Sequence, residues 1–209
     1  MMMDFKLVMK LPRYYRYLKE QLELGSKYAS SGTLGKLMGI SPSQIRQDFN
    51  RLLFNGYHGV GYDIVGLLQK IEEILDLKTP KNLIIIGAGN LGQTLCNNQY
   101  LAFCGFTIKA LFDVNPRLVG LVIKGLKVYD VGELESYIIR ENITAAILSV
   151  PSDANVMMIR ELYSFGVKTF LNFNTITCDL PEDIAIENVH IDDHLMMLSY
   201  KNKILKYTE

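Results

Sequence analysis

In the stretch 11–24, Leu11, Tyr14, Tyr15, Leu18 and Leu22 fall at helical spacing. That spacing marks one face of an α-helix, with Pro12 suited to its first turn and Gly25 placed to stop it. Ser30 or Ser31 can cap a second, short helix that buries Leu34 and Leu37 and ends at Gly39. Ser41 caps the next helix, with Pro42 at its first position and Gln44 completing a capping box. This third helix is expected from Pro42 to about Asn55, with Ile45, Phe49 and Leu52 or Leu53 on its buried face. Two short helices around a tight glycine turn form a helix-turn-helix pattern. Gly56–Tyr62, with three glycines, reads as a small β-ribbon or wing. A further helix from about Asp63 to Leu77 closes the unit through Ile64, Leu67, Leu68, Ile71, Ile74 and Leu75.

The texture changes after the polar stretch 78–82, which contains Pro80. From there apolar runs alternate with helical segments. Strands are expected at 83–86, in the stretch ending at Asp113, at 126–130, in 143–150 and in 167–173, with helices between them. Continuous apolar runs, as opposed to alternating ones, are the mark of strands covered on both faces, hence of a parallel sheet. Residues 194–205 read as an amphipathic C-terminal helix. The fold class is therefore α/β: a winged helix-turn-helix domain over residues 1–77, a linker at 78–82 and a doubly wound parallel-sheet domain over 83–209.

Composition sets bounds on this picture. With 49% hydrophobic residues and a mean hydropathy of +0.12, the 209-residue chain has too much apolar surface to stay disordered. Three cysteines (Cys96, Cys104, Cys178) make no disulfide framework and fit a reducing compartment. The chain has no apolar run of the roughly 18 residues a membrane helix requires, and the start MMMDFKLVMK has no signal-peptide core. The expected location is the cytoplasm. The formal net charge is zero, which alone speaks against a nucleic-acid partner. Residues 1–62, however, carry nine Lys or Arg against four acids, so this part stands at +5 and the remainder at −5.

The most specific local signal is Gly87-Ala88-Gly89-Asn90-Leu91-Gly92, between a strand and a helix. In G-x-G-x-x-G the first glycine permits the tight turn and the second lets the backbone approach a pyrophosphate. The third allows close helix–strand packing, and amides at the helix start hold the anion. Asp113 follows Gly92 by 21 residues at the end of the next strand, where a carboxylate bonds ribose hydroxyls and repels a 2′-phosphate, favouring NAD(H). The alternative is a purely structural βα turn. The turns at 149–152 and 171–174 also lie at strand ends, where open parallel sheets bind ligands. In the third helix, Ser43, Gln44, Arg46, Gln47 and Asn50 are residue types that reach base edges and phosphates. A helical cap on an enzyme is the competing reading. None of His58, His190 and His194 is placed as a proton-transfer group, and the chain beyond the nucleotide unit is too short for a substrate domain. No catalytic residue and no metal site are therefore expected.

The order of these motifs resembles the Rex family of redox-sensing transcriptional repressors over about residues 11–200. The resemblance rests on GAGNLG, Gly59-Val60-Gly61-Tyr62, Phe112-Asp113, Val150-Pro151 and Asn172-Phe173. It implies a homodimer of winged-helix and Rossmann domains with an exchanged C-terminal helix, bound to operator DNA and released by NADH in competition with NAD⁺. By position it assigns Gly87, Ala88, Gly89, Asn90, Leu91, Gly92 and Asp113 to the dinucleotide and Val150, Pro151 and Asn172 to the nicotinamide side. Arg46 takes the place of the family's recognition-helix arginine, with Asp48 after it. Where the family carries cations, this chain has Gln47, Tyr57 and His58, which implies weaker and less salt-sensitive DNA binding. At the switch, Asn98 replaces a tyrosine (Tyr100 lies two residues on) and His190 replaces the acid that partners Arg16. A diverged NAD(H)-binding paralogue with altered DNA binding and a small NAD-dependent oxidoreductase are the alternatives.

Overall fold

The computed structural model describes residues 4–96, 99–174 and 179–205 and, of residues 99, 100, 152 and 153, the backbone only. The chain divides into two compact units, Met1–Thr79 and Pro80–Glu209.

The first unit comprises α1 (Phe5–Val8), α2 (Leu11–Glu23), β1 (Tyr28–Ala29), α3 (Ser31–Met38), α4 (Pro42–Arg51), β2 (Tyr62–Asp63) and α5 (Ile64–Ile74). Ser30 caps α3 by accepting from the Thr33 N–H, and Gly39 ends it in the left-handed region at φ +68°. The face of α3 differs from the expected one. Leu34 is buried, but Met38 fills the second place and Leu37 is exposed, because the turn of the helix brings i+4 and not i+3 against the core. Ser41 caps α4 through the Gln44 N–H. The reciprocal arm of the box is not made: the Gln44 amide turns to the Asp48 carboxylate at 2.9 Å, a charge-assisted acceptor. Helix α4 also stops earlier than Asn55. The Leu53 N–H donates to Asn50 O and Phe54 N–H to Phe49 O, a Schellman closure with Leu53 at φ +55° in the place glycine usually holds. Leu52 is accordingly buried and Leu53 exposed. Tyr14, Leu18, Leu34, Ile45, Phe49, Ile64 and Ile71 form one core, with the Phe49 ring edge-on to Tyr62 at 4.7 Å. Leu22, expected on the buried face of α2, lies at the solvent boundary. The wing is closed by reciprocal backbone bonds between Tyr57 and Gly61. A Cβ on Gly61 (φ +118°) would stand 2.7 Å from the Ala29 carbonyl, so glycine lets the wing lie against β1.

The second unit is a seven-stranded sheet made of β3 (Lys81–Ile86), β4 (Phe106–Asp113), β5 (Val122–Ile123), β6 (Leu126–Asp130), β7 (Ile143–Leu148), β8 (Thr169–Asn172) and β9 (Ala185–Asn188). The order is β5-β6-β4-β3-β7-β8-β9 and all pairs are parallel except β5 with β6. Counting only the parallel strands, this is the 3-2-1-4-5-6 order of dinucleotide-binding Rossmann folds. Helices α6 (Asn90–Cys96) and α7 (Gln99–Phe103) lie on one side, α8 (Leu134–Glu141) and α9 (Ser152–Ser164) on the other, and α10 (Ile191–Leu205) ends the described chain. Alternation along β3 serves both faces: Leu83 and Ile85 join the α6 side with Leu95, and Ile84 and Ile86 join the α8–α9 side with Ile138 and Leu162. Strand β3 begins at Lys81, inside the stretch expected as linker, because Lys81 and Asn82 pair with Phe106 and Thr107. The short strands β5 and β9 were not visible as apolar runs, since their residues are largely exposed at the sheet edges.

Candidate functional site

In the N-terminal unit, Ser43, Arg46, Gln47 and Asn50 are all exposed on α4. Their spacing of three, four and seven residues puts them on one face. Arg46 donates to the Ser31 hydroxyl at 3.1 Å. Together with Asn50 and the wing residues Tyr57, Gly59 and Val60 it lines a cavity of about 600 Å³. Tyr57 stands edge-on to Tyr28 and is, like His58, exposed. Gln44 does not join this face, its amide being committed to Asp48.

The helix is anchored from behind by α2. Asp48 is fully buried and accepts from Lys10 Nζ at 2.9 Å, Tyr14 OH at 2.8 Å and Gln44 Nε2 at 2.9 Å. Burial acts to raise the Asp48 pKa, but the bonds from Lys10, Tyr14 and Gln44 outweigh it and leave the carboxyl below the usual carboxylate range. Burial and the Asp48 carboxylate push the Tyr14 phenol strongly up, so it remains a donor. One turn along α2, Arg13 donates to the Met38 carbonyl at 2.7 Å and so holds the end of α3. Sequence reasoning passed over Lys10, Arg13 and Tyr14 as a positioning set. The available signal was an acid on the same helical face as Ile45, Phe49 and Leu52, a place that demands a buried partner.

In the C-terminal unit the glycine loop lies at the carboxyl end of β3, beside the ends of β4 and β7. Gly87 (φ +99°) donates to Phe112 O, and a Cβ there would meet Ser149 O at 2.7 Å. A Cβ on Gly92 would fall 2.0 Å from Gly87 O. Gly89 is different: a Cβ there would have no atom within 4 Å, and its φ is not in the left-handed region. The protein itself imposes no glycine at this position, so the open space beside it fits a ligand backbone approach. Asp113 is directed at the same loop, accepting from the Ala88 N–H at 2.7 Å and the Asn115 N–H at 2.8 Å. A carboxylate offers about four acceptor sites, so capacity remains for ribose hydroxyls. The exposed Asn90 and Leu91 open α6. The Ser149 hydroxyl braces the loop through Ile86 O and Gly87 O, both at 2.9 Å.

Val150 and the exposed Pro151 follow at the end of β7. Asn172, expected to line the nicotinamide side, is completely buried. Its amide donates to Asn174 O and Asn188 Oδ1, and its oxygen accepts from Asn155 Nδ2 and the Asn174 N–H. With every hydrogen-bonding valence used inside the protein, the Asn172 side chain offers no free group to a ligand. Arg16 is exposed and lies over the Tyr17 ring at 5.6 Å. His190 immediately precedes α10 and is half-buried. Asn98, the Tyr100 side chain and Cys178 lie outside the described residues. Cys96 is a half-buried thiol pushed up in pKa by burial, which disfavours the reactive thiolate.

A winged helix-turn-helix unit followed by a Rossmann unit with a ligand-ready glycine loop defines a two-domain protein that pairs DNA reading with dinucleotide binding. Family models agree with both parts: one described as "Putative DNA-binding protein N-terminus" matches residues 7–50, and one described as CoA binding domain matches residues 78–176. A redox-sensing transcriptional repressor Rex from Thermoanaerobacter sp. (strain X514) is 41% identical over 93% of this chain and 87% of its own. The crystal structure of RSP in complex with β-NADH is 38% identical and covers both chains completely at a TM-score of 0.88. RSP in complex with β-NAD⁺ and operator DNA is 39% identical, covering 100% of this chain and 96% of its own, again at 0.88. The chain belongs to the Rex family of redox-sensing transcriptional repressors.

Proposed function

We propose that this protein is a homodimeric repressor that binds operator DNA and releases it when NADH displaces NAD⁺. The observation that carries the dinucleotide half is Gly89, a glycine with empty space where its Cβ would lie, next to the Ala88 amide that holds Asp113. In this reading Gly87, Gly89 and Gly92 shape the cradle, Ala88, Asn90 and Leu91 border it, and Asp113 takes the adenosine ribose. The carboxylate selects a ribose with free hydroxyls, against the 2′-phosphate of NADP(H) and the 3′-phosphate of coenzyme A. Val150 and Pro151 border the nicotinamide side.

The DNA half rests on the exposed row Ser43, Arg46, Gln47 and Asn50, with Tyr57 and His58 on the wing. Arg46 is the one Arg or Lys in this row, so phosphate contacts are few and the salt dependence shallow, each contact being worth about one unit of slope. Residues 1–77 form the DNA-reading part, 78–80 the connection and the chain from Lys81 onward the ligand-binding part. Helix α10 supports the dimer: Ile191, Leu195, Met196, Leu198, Tyr200 and Leu205 are all exposed and the helix has no buried residue among those described. Apolar surface of this kind is covered by a partner, and the exchanged helix that the family resemblance implies supplies one. Among the described residues no helix is long and apolar enough to cross a membrane; the proposal places the protein in the cytoplasm beside its DNA. Its role there is binding, not turnover.

Release follows from population shift. NADH changes operator occupancy only to the extent that it binds the DNA-free arrangement better than the DNA-bound one. An electrophoretic mobility shift with a palindromic operator, titrating NAD⁺ and NADH against each other, tests the reading. Release that follows the NADH/NAD⁺ ratio is expected. Operator binding indifferent to NADH refutes it.

A further inference from the structure

Four asparagines, three at or just past the carboxyl ends of β8 and β9 and one in the first turn of α9, connect features that are remote in sequence. Asn172, the last residue of β8, sits at their centre. It receives Asn155 Nδ2 from the first turn of α9 at 2.5 Å and donates to Asn188 Oδ1, at the end of β9, at 2.6 Å. On the other side Asn174 accepts from Asn172 Nδ2 through its carbonyl and donates its own amide to Val150 O at 2.6 Å, in the turn after β7. The backbone doubles the Asn172–Asn188 link, since the Val189 N–H donates to Asn172 O at 2.8 Å. Two residues later α10 begins.

Asn155 holds its place although its buried Oδ1 has no partner among the described residues. A leucine or valine would avoid that cost if packing alone were needed at this position. A fully buried amide whose four valences are all engaged permits few arrangements, so movement of one member displaces the others. The Val150 carbonyl belongs to the turn placed on the nicotinamide side, and Asn188 belongs to the root of the exposed apolar helix. The chain of bonds therefore joins the ligand turn to the helix through side chains that need not touch the ligand.

We propose that the Asn174–Asn172–Asn188 relay, braced by Asn155, couples occupation of the nicotinamide side to the setting of helix α10, with Asn188 as its output. This rests on the NADH-release reading above. Asn188 serves as an acceptor, and its residue is exposed, so it can be changed without opening the core. An aspartate retains the acceptor and an alanine removes it.

The test uses the full-length protein and measures three quantities for the unmodified chain, Asn188→Ala and Asn188→Asp: NADH affinity, operator affinity without NADH, and operator affinity at saturating NADH. For Asn188→Ala the first two should stay within about threefold, while the NADH-dependent loss of operator affinity shrinks by about tenfold, within the usual range of coupling between sites. Asn188→Asp should keep the coupling of the unmodified protein. An Asn188→Ala protein with undiminished coupling overturns the relay. So does one whose NADH affinity falls by the same factor as its coupling, because Asn188 would then belong to the binding site. An unmodified protein that keeps its operator at saturating NADH would overturn the release reading itself, which separates the two failures.

Discussion

Replacing Asp48 by alanine removes the common acceptor of Lys10, Tyr14 and Gln44 and so tests how α4 is held. The Tyr14 side chain is buried and its hydroxyl would be left in the core without an acceptor, at about 1–3 kcal/mol. Breaking a buried ion pair by removing one partner costs roughly 3–5 kcal/mol. Here the lower end applies, because the Lys10 side chain is 37% exposed and its ammonium can turn to water. A loss of about 3 kcal/mol in a unit of this size lowers its melting temperature by roughly 12–24 °C. Asp48→Asn keeps the shape and loses the charge, and should fall in between. Calorimetry of the full-length protein, following the transition of the N-terminal unit, reads both. The charge also predicts a pH profile. A carboxylate whose folded pKa lies below its unfolded value, near 3.9, contributes fully above that value and loses its contribution as pH falls through the folded pKa. The gap between the unmodified protein and Asp48→Asn should be constant from pH 7 to 5 and narrow below about pH 4. An Asp48→Ala transition within 3 °C of the unmodified one, or a gap that widens in acid, refutes the argument.

Arg46→Ala should weaken operator binding by roughly 10–100-fold, the worth of one bidentate base contact, with NADH affinity unchanged; paired gel-shift and calorimetric titrations check this. Asp113→Ala should weaken NADH binding and reduce its preference over NADPH, because the ribose acceptor and the repulsion of the 2′-phosphate leave together; titration with both nucleotides reads the ratio. Gln47→Lys should tighten operator binding and steepen the slope of log K against log salt by about one unit, as measured by binding isotherms at several salt concentrations.

The sequence made legible what repeats or follows strict local rules. The apolar run of β3 feeding GAGNLG, the caps at Ser30 and Ser41 and the burial of Ile45 and Phe49 are each set by neighbours within a few residues. What escaped depends on tertiary contact. Gln44 fits a capping box by sequence, but a buried carboxylate one turn away is the better partner. Leu53 ends α4 in a backbone region that leucine seldom occupies, so periodicity carried the helix too far. Strands β5 and β9 owe their existence to sheet edges. Asn172 was legible as a residue at a ligand-facing strand end, yet only the positions of Asn155, Asn174 and Asn188 reveal that its amide is spent internally.

The glycine loop shows how the two kinds of requirement separate. Gly92 and Gly89 belong to the same motif, but a Cβ at the first would collide with Gly87 O and a Cβ at the second would meet nothing. Gly92→Ala must push the loop off β3, an overpacking cost of about 1–3 kcal/mol, and should lower the melting temperature of the C-terminal unit. Gly89→Ala meets no such obstacle in the protein. Alanine at a compatible backbone even stabilises by about 0.4–1 kcal/mol, through the unfolded chain. Its melting temperature should therefore match or slightly exceed that of the unmodified protein. If the space beside Gly89 is where the pyrophosphate lies, the same methyl group enters the ligand, and NADH affinity should fall at least about tenfold, since a displaced charge-assisted contact is worth about 1.5–3 kcal/mol. Stability kept and NADH binding lost is a combination that a structural glycine does not produce. A Gly89→Ala protein that binds NADH normally would mean the ligand does not pass the middle of this loop.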